Sequence, residues 1–142
     1  MKKIALVIPT LNETENIESL ISQIKSNLEN VTIFIIDDSK TNEIGELIKN
    51  KNINVEYFHR EKGKGRGSAI IYGFKKALDL NQFDIFIEMD ADFSHDPKEL
   101  KRNTDYFINN KLDLLIGSRY LKKSSIVNWS LSRRIFSKLA NF

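Results

Sequence analysis

Asp90 and Asp92 stand one residue apart at the end of an apolar run and are followed by Ser94-His95-Asp96-Pro97. In an extended chain, residues i and i+2 point to the same side. Two carboxylates held that close repel, and one pKa rises unless a cation sits between or beside them. A hard divalent ion suits the position, because it needs few protein carboxylates when substrate phosphates and waters complete its shell. The local alternative has Asp90 capping the strand end and Asp92 opening a turn. The apolar strand before the pair and the polar turn after it favour the metal. His95 reads as a loop residue bonding backbone or substrate rather than as a metal ligand.

The choice of ion follows from what the chain lacks. It has no cysteine and only two histidines, His59 and His95. Disulfides, thiolate sites and cysteine nucleophiles are excluded, and a His-rich zinc site is disfavoured. Oxygen donors then point to Mg²⁺ or Mn²⁺.

A second segment, Lys62-Gly63-Lys64-Gly65-Arg66-Gly67, precedes a helical pattern. Glycines let backbone N–H groups approach an anion, and a helix N-terminus adds partial positive charge. The segment lacks the Gly-Lys-Ser/Thr ending of a P-loop and the spacing and position of a dinucleotide fingerprint. It is either a phosphate-facing turn or a solvated basic one. Further on, Trp129, Arg133 and Ser137 recur every four residues and share one helix face. Arg133 there either meets phosphate, which its planar fork of donors matches, or faces solvent while Trp129 packs on the core.

Strands must carry these groups. Runs 3–9, 31–37, 53–58, 83–90 and 112–117 read as strands, and their near-continuous apolar character indicates burial on both faces, as in a parallel sheet. Between them Ile17, Leu20, Ile21, Ile24 and Leu28 mark a first helix, with Asn12 and Glu15 as a capping pair. Ile44, Leu47 and Ile48 mark a second, and Ala69, Ile70, Gly73, Phe74, Ala77 and Leu78 a third. Asp96-Pro97-Lys98-Glu99 starts a fourth, and 129–142 reads as a last helix. Alternation of this kind predicts an α/β fold, a three-layer α/β/α sandwich with a mainly parallel sheet. Such sheets bind ligands at the carboxyl ends of their strands. Residues 9–13, 37–39, 90–92 and 117–119 all fall there.

The chain has 142 residues, 41% hydrophobic and 29% charged, an ordinary globular profile of single-domain size. Its net charge of +3 is uneven. After Asp113 no acidic residue follows, whereas Arg119, Lys122, Lys123, Arg133, Arg134 and Lys138 do. A basic tail suits phosphate groups, on lipid, nucleotide or nucleic acid, or is a solvated helix end. The apolar run after Met1-Lys2-Lys3 stops at Pro9, too short for a signal core, and no stretch approaches the roughly 20 apolar residues of a membrane span. A soluble, cytoplasmic chain is expected.

Together these stretches resemble family 2 glycosyltransferases of the GT-A fold, nearest the dolichol-phosphate mannosyltransferase and polyprenyl-phosphate glycosyltransferase branch. The matching pieces are Val7-Ile8-Pro9-Thr10-Leu11-Asn12-Glu13 with Glu15-Asn16-Ile17, Ile36-Asp37-Asp38-Ser39, Lys62-Gly63-Lys64-Gly65, Met89-Asp90-Ala91-Asp92-Phe93-Ser94-His95-Asp96-Pro97, Gly117-Ser118-Arg119-Tyr120, and Trp129-Ser130-Leu131-Ser132-Arg133-Arg134 with Ser137. The resemblance implies that Pro9, Leu11, Glu13 and Asp38, with Asp90, Ala91 and Asp92, hold a nucleotide-sugar. It implies that Asp90, Asp92 and Ser94 face Mg²⁺ or Mn²⁺, and that Asp92 and Arg119 serve catalysis. Arg119, Arg133 and Ser137 would hold the phosphate of a polyprenyl or dolichyl acceptor.

The implied reaction moves a sugar from a GDP-mannose or UDP-glucose type donor to that phosphate with inversion. The implied setting is the cytoplasmic face of a membrane, in peripheral contact with its anionic surface and without nucleic acid. Departures from the family pattern are Ser39-Lys40-Thr41-Asn42-Glu43 and Lys122-Lys123-Ser124-Ser125. Family members also continue well past the position of Phe142, so the expectation is one GT-A-like catalytic domain over 1–142, truncated on the acceptor side. A catalytically idle nucleotide-sugar-binding module, or a truncated fragment, is the alternative, and a nucleotidyltransferase ranks below it.

Overall fold

Four apolar segments pair edge to edge in a computed structural model that describes residues 2–118 together with Phe136 and Ser137. Along the chain run β1 (Ile4–Thr10), α1 (Thr14–Asn27), β2 (Val31–Asp37), α2 (Glu43–Asn50), β3 (Glu56–His59), α3 (Arg66–Asp79), β4 (Ile85–Glu88) and α4 (Glu99–Asn109). The strand order is β3-β2-β1-β4, and every pairing is parallel. This is the α/β architecture expected from the alternation of strand-like and helix-like runs.

Burial explains the composition of the central strands. Ile4 through Ile8 of β1 and Ile33 through Ile36 of β2 are all buried, so neither strand has a solvent face. Ala5, Val7, Phe34 and Ile36 form one core with Ala69 and Ala77 of α3. Gly73 lets α3 lie close to the sheet: a Cβ there would meet Val7 Cγ1 at 2.5 Å and Ile36 Cγ1 at 3.0 Å. Phe58, Tyr72, Phe74, Phe83 and Phe86 pack around this core, with edge-to-face ring pairs such as Phe34–Phe83. The other face falls to α1 and α2, which touch each other; right-handed crossovers put them there because β1, β2 and β3 advance in one direction across the sheet. Ile17, Leu20, Ile21 and Ile24 of α1 and Ile44 and Ile48 of α2 are their buried stripes.

Several expected boundaries move. Asn12 does not cap α1; it takes a left-handed conformation (φ 59°), and the helix opens at Thr14 with no side-chain cap. The run from 53 pairs only from Glu56, because the Ile53 N–H instead closes α2 on Ile48 O at 2.9 Å. Leu112–Gly117 is not a strand. It pairs with nothing in the described sheet, and Leu114 and Ile116 are exposed, so its apolar character reflects no two-sided burial.

The described residues divide into two units, Met1–Tyr106 and Phe107–Phe142. The sheet and its core belong to the first; residues 110–118 in the second carry no regular structure, and Phe136 and Ser137 are helical. The helix expected over 129–142 otherwise lies outside the described residues.

Candidate active site

The carboxyl edge of the sheet is built around two adjacent aspartates that end β2. Asp37 is fully buried and is met by four donors: Thr10 Oγ1 at 3.2 Å, Ser39 N at 2.9 Å, Ser39 Oγ at 2.5 Å and Tyr57 Oη at 2.9 Å. Burial first, then the hydrogen bond to Asp37 and its charge, push the Tyr57 hydroxyl well above its ordinary pKa. Ser39 Oγ also accepts the Asn12 N–H at 2.8 Å, and Asp38 N–H donates to Thr10 O at 3.0 Å. The loops after β1 and β2 are thereby tied together.

Asp38 faces the other way. The β2–β3 register sets Asp37 opposite His59, so Asp38 and Arg60 emerge side by side. Arg60 Nε and Nη2 donate to the two Asp38 oxygens at 2.7 Å each, and the Gly65 N–H adds a third bond at 2.7 Å. Both side chains of this ion pair are 8% exposed. Burial alone would raise the Asp38 pKa, but the Arg60 hydrogen bond, the Gly65 N–H and the charges of Arg60 and Lys64 hold it below the usual 3.8. Lys64 Nζ closes the bracket on Asp38 O at 2.9 Å and Ser39 O at 3.2 Å.

That bracket shapes the glycine turn. Gly63 and Gly65 adopt φ of 70° and 124°, which only glycine takes readily. A Cβ at Gly63, Gly65 or Gly67 would meet nothing within 4 Å. The helix that follows starts at Arg66 without a side-chain cap, so its first N–H groups are available to an anion.

Beside it stands the Asp90–Asp92 loop. Met89 N–H donates to Val7 O at 3.1 Å, continuing the β1–β4 pairing. The Asp90 N–H donates to His95 Nδ1 at 3.3 Å, so His95 braces the loop backbone, as expected of it. Arg66 Nε donates to Asp90 Oδ1 at 2.8 Å and its Nη2 to Glu88 Oε2 at 2.8 Å. Asp92 Oδ1 accepts the Ser94 N–H at 2.9 Å. Burial pushes the Asp92 carboxyl up, but Ser94's hydroxyl and N–H bonds, its own N–H and the charge of His95 bring it below 3.8. Phe93 between them is left-handed at φ 58°, a costly conformation of the kind that clusters at functional sites. Asp96 Oδ1 accepts the Lys98 N–H at 3.0 Å and so steers the chain into α4.

The remaining expected residues distribute unevenly. Pro9 is half-buried in β1, Ala91 is buried and Leu11 is 60% exposed. Glu13 Oε2 accepts Asn16 Nδ2 at 2.7 Å. Asn12, Glu13, Thr14, Glu15 and Asn16, with Lys40, Thr41 and Glu43, line a cleft of about 530 Å³ beyond β1 and β2. Arg119 and Arg133 lie outside the described residues; Ser137 is half-buried in the second unit. Arg60, Glu88 and Tyr57 belong to no motif read from the sequence, whereas Arg66 lies in the glycine segment read as either phosphate-facing or solvated. The signal for Arg60 and Glu88 is position alone, just beyond β3 and at the end of β4, and Tyr57, inside β3, has none.

Asp90, Asp92 and Ser94 offer only oxygen donors, and among the described residues no group of three or more His, Cys, Asp and Glu side chains converges on a metal position. Such a sparse set fits Mg²⁺ or Mn²⁺ completed by phosphate oxygens and water, not an ion caged by protein.

An α/β sheet whose strand order reverses beside β1, with an acidic loop and a glycine turn at its carboxyl edge, defines a ligand-binding domain of the topological-switch kind. The chain belongs to glycosyl transferase family 2, whose model matches residues 5–142. It is 37% identical to a dolichol-phosphate mannosyltransferase of Pyrococcus furiosus over 96% of this chain and 38% of that protein. It is 34% identical to a polyprenol monophosphomannose synthase of Mycolicibacterium smegmatis over 96% of this chain and 52% of that one. An undecaprenyl-phosphate mannosyltransferase of Micrococcus luteus is 30% identical over 95% and 56%. The chain thus spans 38% to 56% of the length of these relatives. The fold is shared with a mannosyltransferase of Pyrobaculum calidifontis solved with GDP-Man and Mn²⁺, at a TM-score of 0.59 and 16% identity over 75% of this chain and 32% of that one.

Proposed function

We propose that this chain provides the nucleotide-sugar side of a glycosyltransferase acting on polyprenyl or dolichyl phosphate. The observation that carries the reading is the junction of the Asp90–Asp92 loop with the glycine turn, made by Arg66, beside the ends of β1 and β2. Carboxylates for a divalent ion and backbone donors for phosphate meet there at one sheet edge.

In this reading the nucleoside lies along Pro9, Leu11 and Glu13. Asp38 contributes less through its carboxylate, which Arg60 and Gly65 occupy, than by holding the turn in shape. Asp90 and Asp92, with Ser94, hold Mg²⁺ or Mn²⁺ on the donor diphosphate. The ion, when bound, offsets negative charge developing on the departing nucleoside diphosphate. His95 fixes the Asp90 backbone, and the Ser94 N–H fixes the Asp92 carboxylate, so neither must be oriented during reaction. The acceptor phosphate is already anionic and needs orientation more than a general base; Arg119, Arg133 and Ser137 are assigned to it. Direct attack on an α-linked donor inverts the anomeric carbon and yields a β-linked lipid phosphate sugar.

The test is transfer of labelled mannose or glucose from GDP- or UDP-sugar to polyprenyl phosphate. Transfer is expected only with Mg²⁺ or Mn²⁺, and Asp92→Ala is expected to lower it about 100-fold or more, the scale of several kcal/mol of transition-state charge stabilisation. An Asp92→Ala protein with full activity refutes the assignment. Metal-dependent nucleotide binding without transfer or donor hydrolysis would identify a binding module instead.

A further inference from the structure

The basic residues around the glycine turn are not equivalent. Arg60 is buried against Asp38, and Lys64 is tied to the Asp38 and Ser39 carbonyls. Arg66 differs. Its side chain is 53% exposed, and the structure pairs it with two carboxylates that are themselves open to solvent, Asp90 at 31% and Glu88 at 38%. Nothing in the packing locks it in place, and pairs this exposed are weak. One of the two carboxylates is also the one assigned to the metal.

A guanidinium and a divalent ion cannot both sit at contact distance on Asp90 Oδ1 without strong repulsion. We infer that Arg66 is an exchangeable counter-ion: it neutralises Asp90 while the site is empty, yields that carboxylate to the arriving divalent ion, and then turns to the nucleoside diphosphate. This rests on the reading of Asp90 and Asp92 as the metal-holding pair. The exchange is local. Arg66 opens α3 between Gly65 and Gly67, neither of which places a side chain in its way. Its planar fork of donors matches two diphosphate oxygens as well as it matches two carboxylates. Metal and nucleotide then bind cooperatively, because each makes the departure of Arg66 from Asp90 less costly for the other.

The exchange predicts effects of opposite sign, which a purely structural role does not produce. Mn²⁺ binding to the full chain is followed by the loss of the free-ion electron paramagnetic resonance signal, first with Mn²⁺ alone. GDP and UDP are then titrated by calorimetry at saturating Mn²⁺. Arg66→Gln is expected to bind Mn²⁺ alone about five-fold more tightly than the parent protein, the scale of losing a surface competitor. The same variant is expected to bind GDP or UDP with Mn²⁺ about ten-fold more weakly, the scale of a charge-assisted hydrogen bond. Arg66→Lys, which keeps the charge without the fork, falls between on both axes.

If both constants move in the same direction, or neither moves, while the parent protein still binds Mn²⁺ and nucleotide together, the exchange is wrong and the metal assignment survives. If neither protein takes up Mn²⁺ with either nucleotide present, the metal assignment fails and the exchange falls with it. Any other pattern also overturns the exchange.

Discussion

At the scale of single residues, the Asp38–Arg60 pair makes the firmest demand on pH. Folding lowers the Asp38 pKa below 3.8. In mild acid the folded protein therefore carries fewer protons at this carboxyl than the unfolded chain. The resulting stability is complete above the unfolded value and disappears as pH falls through the lowered folded one. Asp38→Asn keeps the shape but leaves the buried Arg60 charge without its counter-ion, a loss of about 3–5 kcal/mol. Thermal melts at pH 7 should show a fall in Tm of about 10 °C. The gap between the two proteins should narrow as the pH is taken below about 4, because the parent loses the same charge there. A gap that stays constant across that range would contradict the assignment. The sequence made Asp90 and Asp92 visible because their chemistry follows from local spacing. It hid the pairings of Arg60 and Arg66 because their partners, Asp38 and Asp90, lie 22 and 24 residues away; β2–β3 register brings Arg60 to Asp38, and the start of α3 brings Arg66 to the loop after β4.

Among the elements, α3 shows how closely the layers are set. Replacing a mid-helix glycine by alanine ordinarily gains up to about 1 kcal/mol of helix propensity. At Gly73 the added methyl would run into Val7 and Ile36, which sit in fully buried strands and cannot retreat. Overpacking of that kind costs about 1–3 kcal/mol, so Gly73→Ala is expected to be destabilising on balance. Urea denaturation should show a lower midpoint with an unchanged slope; a higher midpoint would mean that α3 stands farther from the sheet. The central strands and the buried stripes of α1 and α2 were legible because long apolar runs and helical periodicity survive any detail of packing. Element ends were less so. Phe83 looked like the start of a strand, yet it packs edge-to-face on Phe34 and Phe86, and the β4 pairing begins at Ile85. Leu112–Gly117 misled for a related reason: an apolar run becomes a strand only where a neighbouring strand supplies hydrogen bonds.

For the whole molecule, charge is the informative property. The basic residues Arg119, Lys122, Lys123, Arg133, Arg134 and Lys138 follow the last acidic one, Asp113, and no described helix is long and apolar enough to cross a membrane. If these residues dock the chain at a membrane carrying the proposed acceptor, each contributes about 1 kcal/mol near an anionic surface. Sedimentation with phosphatidylglycerol vesicles should recover the protein at low salt, and phosphatidylcholine vesicles should not. Lys122→Gln with Lys123→Gln should reduce the bound fraction about ten-fold or more, and ionic strength near 1 M, where the Debye length is about 3 Å, should release it. Equal recovery on neutral and anionic vesicles would remove electrostatic docking from the account.

Gly67 carries a different kind of information. Its backbone has no need of a positive φ, and no protein atom lies within 4 Å of where a methyl would go. The fold could therefore host alanine at this position without rearranging. The bareness there acts as a gauge of clearance, one methyl radius deep, for whatever settles over the turn.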